Sequence, residues 1–341
     1  MRLLMLGGTE FVGRAITEDA LARGWEVTVF HRGHHAAPAG ARVLLGDRTA
    51  ADGLGALAVG DGAGHEWDLV VDTWSGAPAV VRDAAEALAG RAGRYVYISS
   101  GSVYTYPSAA GHDESWPVVA ASPHDGATGA DGEEIDYARA KRGGELAVVA
   151  AFGERALLVR AGLILGPYEN IGRLPWWLGR MARGGPVLAP GPRELAVQYV
   201  DVRDLAAWCL DAGAAGLGGP YNVISPPGHT TMGALLAECA RVTGGKAELR
   251  WVDAETVLAA DIAPWTDLPV WVPEGELYDT LHRGDVAKAL AAGLRCRPMA
   301  ETVADTWSWL CDLDGVAPQR PDRPSVGLDP EVEARVLWGA S

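Results

Sequence analysis
MRLLMLGGTEFVGRAITEDALARGWEVTVFHRGHH, residues Met1–His35, is the stretch on which the fold turns. Leu3–Leu6 is a short apolar run, the pattern of a parallel strand buried on both faces. Gly7-Gly8-Thr9 interrupts it, and Phe11–Arg23 then places Phe11, Val12, Ala15, Ile16 and Ala20 at helical spacing. Gly24 is the stop, because glycine adopts the left-handed conformation past a helix end without a Cβ penalty. Trp25–Phe30 sets Val27 and Val29 between polar neighbours and reads as a second strand. Strand, glycine loop, helix, strand is the opening half of a dinucleotide-binding unit.

The glycines carry separate tasks in that reading. Gly7 permits the tight turn off the strand, and Gly8 lets backbone N–H groups approach a pyrophosphate at the positive end of the helix dipole. Gly13 lets the helix pack closely on the sheet, with Thr9, Glu10, Phe11 and Val12 completing the loop. The spacing is GGxxxxG, and Glu10 would repel a diphosphate unless it turned toward a ribose hydroxyl. An ordinary tight strand-to-helix turn is the alternative.

Working outward, Arg42–Leu45, Trp67–Asp72, Arg94–Ser99 and Ala156–Ile164 read as the third to sixth strands, with Pro78–Ala89 a helix among them. This alternation predicts an α/β fold with a doubly wound parallel sheet, the Rossmann arrangement. Ligands then lie beyond the strand carboxyl ends, where Gly7, Thr73 and Ser99-Ser100 fall. Arg32 stands where an NAD site usually carries an acid, which leans toward NADP; Glu10 argues for NAD. Asp47 either accepts from an adenine amino group or is a turn residue. His31, His34 and His35 lack acidic or cysteine ligands at matching spacing, so no metal is expected.

A long polar loop, of a length usually functional or mobile, follows the fifth strand through Gly132. A helix is expected from near Glu133, carrying Tyr137 and Lys141 at i and i+4, on one face. A tyrosine with an ordinary pKa of about 10 is a poor base near neutrality, and a neighbouring ammonium favours its phenolate. Tyr137 is therefore the candidate acid/base for a substrate oxygen while hydride moves, and Ser100 the candidate hydroxyl that hydrogen-bonds that oxygen. A surface pair on a helix is the plain alternative.

The 341 residues carry a net charge of −15, a field that disfavours nonspecific nucleic-acid binding. Only Lys141, Lys246 and Lys288 are lysine among 29 basic residues, a bias that with abundant Ala and Gly suggests a GC-rich bacterial genome. No run of 18 apolar residues exists, so no membrane partner is expected. A first strand starting at residue 2 leaves no room for a leader, and a cytoplasmic location is expected. Cys209, Cys239, Cys296 and Cys311 are scattered and read as small hydrophobes in a reducing compartment.

Several motifs now align with one family. Gly7–Gly13, Ser99–Tyr104, Tyr137–Lys141, Arg160–Pro167 and Gln198–Ala206 resemble an extended or atypical short-chain dehydrogenase/reductase of the NAD-dependent epimerase/dehydratase superfamily. Within it the chain resembles the GGxxxxG subgroup, whose members carry isoflavone-reductase-like and chloroplast-mRNA-binding-like labels. The resemblance implies that Ser100 orients substrate, Tyr137 is the acid/base and Lys141 also holds the nicotinamide ribose. Two departures stand out. The helix Pro78–Ala89 has no asparagine for the fourth active-site member, and Gly101-Ser102 replaces the Asp-Glu of sugar-nucleotide 4,6-dehydratases.

It further implies a Rossmann domain from 1–165 plus 198–226 and a smaller, mostly helical C-terminal substrate domain from 166–197 plus 227–317. A C-terminal linker and helix, 318–341, follows, and Gln198–Val202 is expected to return to the sheet. The expected substrate pocket is lined by Tyr104, Asn170, Arg173, Trp177 and Gln198 and roofed by 251–273. Tryptophans suit a ring and arginine an anionic or hydroxyl-rich group, pointing to a glycoside, sugar nucleotide or aromatic polyol. The expected activity is an NAD- or NADP-dependent reductase or epimerase on a secondary alcohol or ketone. The rival is a non-catalytic Rossmann protein that senses nucleotides or associates with RNA. A small molecule is the expected partner, and a homodimer stays open.

Overall fold
The computed structural model describes residues 1–50, 52–58, 66–129, 132–321 and 323–339. Its central sheet contains β1 (Arg2–Leu6), β2 (Glu26–His31), β3 (Arg42–Leu45), β4 (Trp67–Asp72), β5 (Ala92–Ser100), β6 (Ala156–Ala161) and β7 (Gly219–Val223). All pair in parallel in the order β7-β6-β5-β4-β1-β2-β3. Leu3 sits beside both Val27 and Leu69, and Val159 joins Ile98 to Tyr221. The order reverses beside β1, which opens a crevice at the strand carboxyl ends there.

Strand periodicity explains the two layers. Successive side chains point to opposite faces, so a strand covered on both sides must be apolar throughout. Leu3, Met5, Val29, Val71, Ile98 and Val159 face one side, packed by helices α1 (Phe11–Ala22) and α5 (Val202–Ala214). Leu4, Leu6, Phe30, Val70, Tyr95, Tyr97 and Leu158 face the other, packed by α2 (Pro78–Leu88) and α3 (Tyr137–Phe152). Leu3–Leu6 are at most 1% exposed, as the opening apolar run requires.

A third core lies outside this sheet. Helices α4 (Arg173–Ala182), α6 (Met232–Val242), α7 (Met299–Cys311) and α8 (Pro330–Trp338) enclose Trp177, Leu178, Leu235, Leu236, Val303 and Trp271. Among them runs a parallel pair, Gly185–Pro190 with Ala247–Val252, which sequence patterning did not disclose. Among the described residues, no helix is long and apolar enough to cross a membrane.

Two element expectations need correction. Gln198–Val202 does not rejoin the central sheet. Instead Ala196–Val197 pairs antiparallel with Thr230–Thr231, and Val200–Asp201 pairs with Ile164–Leu165. The edge beside β6 is taken by β7, which pairs with Leu157–Ala161 along its whole length and leaves that strand no free edge for Gln198–Val202. The helix expected from Glu133 begins at Tyr137, because the Asp136 carboxylate accepts from the Arg139 amide at 2.7 Å as its cap.

Candidate active site
The glycine loop is built by close approach. Gly7 and Gly8 have φ of +107° and +94°, and a Cβ on either would meet Thr73 Oγ1 or Met5 Cγ at 2.7 Å. A Cβ on Gly13 would lie 2.6 Å from the Gly8 amide nitrogen, so Gly13 serves the fit of α1 to its own loop more than to the sheet. The Thr17 hydroxyl donates to Gly13 O at 2.8 Å and fixes that turn. Glu10 is the helix N-cap but its side chain caps nothing. Its carboxylate instead accepts from Asn170 Nδ2 at 3.2 Å and stands 3.6 Å from His35 Nε2. The amides at the positive end of α1 thus remain directed toward the loop that a diphosphate would occupy.

At the end of β4, Asp72 takes a bidentate contact from Arg48 at 2.7 and 2.8 Å, the Tyr95 hydroxyl at 2.7 Å and the Trp74 amide at 2.9 Å. Burial alone would raise its pKa, but Arg48 outweighs that and holds the carboxyl below the usual range. This clamp shapes the segment whose Trp74 carbonyl receives Lys141 Nζ at 2.6 Å. Lys141 Nζ also donates to Ile98 O at 2.6 Å. The ammonium is buried, which lowers its pKa to about 7, with Asp72 opposing and Arg323 and Arg320 adding to the fall.

Tyr137, the first residue of α3, is 38% exposed, and the Arg323 guanidinium lies 5.2 Å above its ring centroid. Ser100 ends β5 and caps the turn Gly101–Val103, with its Oγ 3.1 Å from both the amide and the hydroxyl of Ser102. One turn beyond Lys141, Glu145 is tied to Arg160 at 2.9 and 3.0 Å and to Ser99 at 2.8 Å, which locks α3 onto β5 and β6.

These elements border one cleft of about 840 Å³ between the strand carboxyl ends and the third core. Gly7–Gly13, Thr73, Ser100, Tyr104, Tyr137, Lys141, Asn170 and Arg173 all line it. Four expected residues do not. Trp177 is fully buried and its indole N–H donates to Pro269 O at 2.7 Å, because α4 turns the stripe Leu174, Trp177, Leu178 and Met181 into the core. Gln198 is buried and spends its amide on Ser225 O, Gly284 O and the Gly284 amide, stitching loops together.

Arg32 and Asp47 are brought to neighbouring strand ends, outside the cleft lining. The Thr49 amide and hydroxyl hold Asp47 below the usual carboxylate range, and Arg32 adds a smaller pull. An acid in the field of Arg32 offsets the attraction for a 2′-phosphate on which the lean to NADP rested, and nothing in the structure supports that lean.

Tyr104 contributes its ring only. Its hydroxyl donates to Asn222 Oδ1 at 2.6 Å and accepts from Arg160 at 3.1 Å, and burial raises its pKa to about 12. Of the expected roof, Pro264, Trp265 and Thr266 line the cleft, whereas Trp271 is buried in the third core. Arg320 and Arg323 also line it and were missed. Their signal was two arginines inside the proline-rich Pro318–Pro324, read only as a linker.

Among solved structures, UDP-glucuronic acid 4-epimerase from Bacillus cereus in complex with NAD matches with a TM-score of 0.62 at 14% identity, over 92% of this chain and 99% of that one. The UDP-glucose 4-epimerase of Thermus thermophilus, also a complex with NAD, gives 0.61 at 22% identity, over 91% and 99%. UDP-N-acetylglucosamine 4-epimerase from Bacillus cereus gives 0.62 at 15%, over 90% and 98%. At these identities the likeness establishes the shared fold. No curated protein matches the sequence. The model of the NAD dependent epimerase/dehydratase family matches residues 3–223, from β1 to the edge strand β7, and the chain belongs to that family, enzymes of the extended short-chain dehydrogenase/reductase class.

Proposed function
We propose that this chain is an NAD-dependent epimerase acting on a secondary alcohol of a sugar-linked small molecule, with Tyr137 as acid/base. The observation that carries the reading is the convergence of Tyr137, Lys141 and Ser100 with the glycine loop on one cleft. The loop fits the cofactor: Gly7, Gly8 and Gly13 leave space that a Cβ would fill, and the start of α1 carries no side-chain cap. NAD held there supplies a hydride acceptor that can return the hydride.

Tyr137 takes the proton from the substrate hydroxyl as the carbinol carbon is oxidised, and gives it back when the ketone is reduced. Ser100 donates to the same oxygen and fixes its position. Lys141 is held by the carbonyls of Trp74 and Ile98, which leaves its third proton for a ribose hydroxyl. Gly101-Ser102 offers no acid pair for elimination, which favours epimerisation or simple redox over dehydration. The neighbouring structures named above act on UDP-sugars, which supports a nucleotide sugar as substrate. The adenosine end would lie toward β2 and β3, near Asp47 and Arg32, with residues 166–197 and 227–317 forming the substrate side.

Cofactor content tests the reading. NAD should co-purify and stay bound through gel filtration, as an epimerase that regenerates its cofactor requires. Purified protein that holds no NAD and binds neither NAD nor NADP in calorimetry overturns it, and rapid exchange of NAD with turnover-linked NADH release would make the protein a dehydrogenase instead.

A further inference from the structure
The cleft has a charge opposite to that of the chain. Among the described residues, Lys141, Arg173, Arg320 and Arg323 line it and Glu10 is the acid beside them, in a protein of net charge −15. Arg173 is the first residue of α4, and Arg320 and Arg323 come from the arm between Ala317 and Leu328. The arm is pinned on both sides of the cleft. The Arg320 amide donates to Asn170 O at 3.0 Å and the Gly327 amide to Thr266 O at 2.8 Å. Behind it, α8 docks through Glu333, which is buried and accepts from Arg180 Nε at 2.8 Å and from the Leu188 amide at 3.0 Å.

Two of these arginines form no ion pair among the described residues. Arg323 stacks on the Tyr137 ring at 5.2 Å, and its buried Nε has no hydrogen-bond partner there. Arg173 stacks on Trp265 at 5.2 Å. The acid nearest to it in the chain, Glu169, gives its two oxygens to the Arg173 and Leu174 amides at 2.8 and 3.1 Å. Burial raises the Glu169 pKa to about 7, so that group is a weak counter-charge near neutrality. Both side chains are half-buried, and a cation partly withdrawn from water gains when an anion meets it. A guanidinium offers a planar fork of donors suited to oxyanions.

We propose that Arg173 and Arg323, with Arg320 beside them, form an anion subsite over Tyr137, so that the reacting moiety of the substrate itself carries a carboxylate or phosphate. The inference rests on the NAD-dependent reading above. Position decides it: a cation stacked on Tyr137 faces the group being oxidised, whereas a distant diphosphate would not call for one there.

The test is calorimetry on the NAD-loaded protein with D-glucuronate, D-glucose 6-phosphate and D-glucose. Either anionic sugar should bind at least about tenfold more tightly than glucose, and the better of the two identifies the oxyanion. Arg323→Gln and Arg173→Gln should each lower that preference by about tenfold, Arg323→Lys should restore part of it, and melting and NAD affinity should hold. Equal affinity for all three sugars, or no binding by either anionic sugar, overturns the proposal. So does a loss of NAD affinity in Arg323→Gln with the sugar preference unchanged, which would assign these arginines to the cofactor. If NAD itself fails to bind, the parent reading falls and this one with it; NAD binding without anion preference removes this inference alone.

Discussion

Replacing Asp72 by Asn keeps the side chain's shape and removes its charge, and the effect should be large. Both partners of the Arg48–Asp72 pair are buried, with side-chain exposures of 7% and 0%. The variant leaves a buried guanidinium without a counter-ion, which costs about 3–5 kcal/mol. At roughly 2 °C per kcal/mol for a chain of this size, the melting temperature should fall by about 6–10 °C. Arg48→Met added to Asp72→Asn removes the stranded charge, while the Asn side chain can still meet the Trp74 amide and the Tyr95 hydroxyl. The double variant should therefore be more stable than the single one.

The pH arm has a definite sign. Arg48 depresses the Asp72 pKa below its unfolded value, so the stabilisation is present above the ordinary carboxylate range and is lost as pH falls through the folded value. Between about pH 5 and 8, this pair should contribute a flat difference between wild type and Asp72→Asn. Calorimetric melts of the four proteins of the cycle measure it. A single variant melting within about 2 °C of wild type, or a double variant less stable than the single one, would refute the reasoning.

Three other outcomes can be checked alongside. Gly13→Ala should lower NAD affinity by about tenfold or more and destabilise by about 1–3 kcal/mol, since its Cβ would sit 2.6 Å from the Gly8 amide nitrogen; calorimetry and melts read both. Lys141 has its folded-state pKa lowered to about 7, so between there and its unfolded value near 10.5 the unfolded chain binds more protons and stability should rise with pH. That rise, up to about 1.4 kcal/mol per pH unit, should vanish in Lys141→Met denaturation curves. Tyr137→Phe should cut turnover by about 10²–10⁴-fold with melting and NAD binding retained, as steady-state rates and calorimetry would show.

What the sequence determined by itself was the part whose causes are local. An apolar run followed by Gly7-Gly8, a helical stripe and a stop at Gly24 constrain backbone conformation within a few residues, and the observed β1, α1 and β2 follow them closely. Tyr137 and Lys141 were legible for the same reason, because a spacing of four on a helix puts both on one face. The remainder depended on which surfaces meet. Trp177 and Arg173 are four residues apart on α4, yet one is sealed in the third core and the other reaches the cleft from the helix end. Gln198 looks like a polar ligand until Ser225 and Gly284 are seen to use its whole amide. Arg320 and Arg323 lie more than 180 residues from Tyr137 in the chain, and no local pattern encodes that distance. The docking of α8 through Glu333 and Arg180, with the backbone bonds of Arg320 to Asn170 and of Gly327 to Thr266, carries the arm across the cleft and puts Arg323 on the Tyr137 ring.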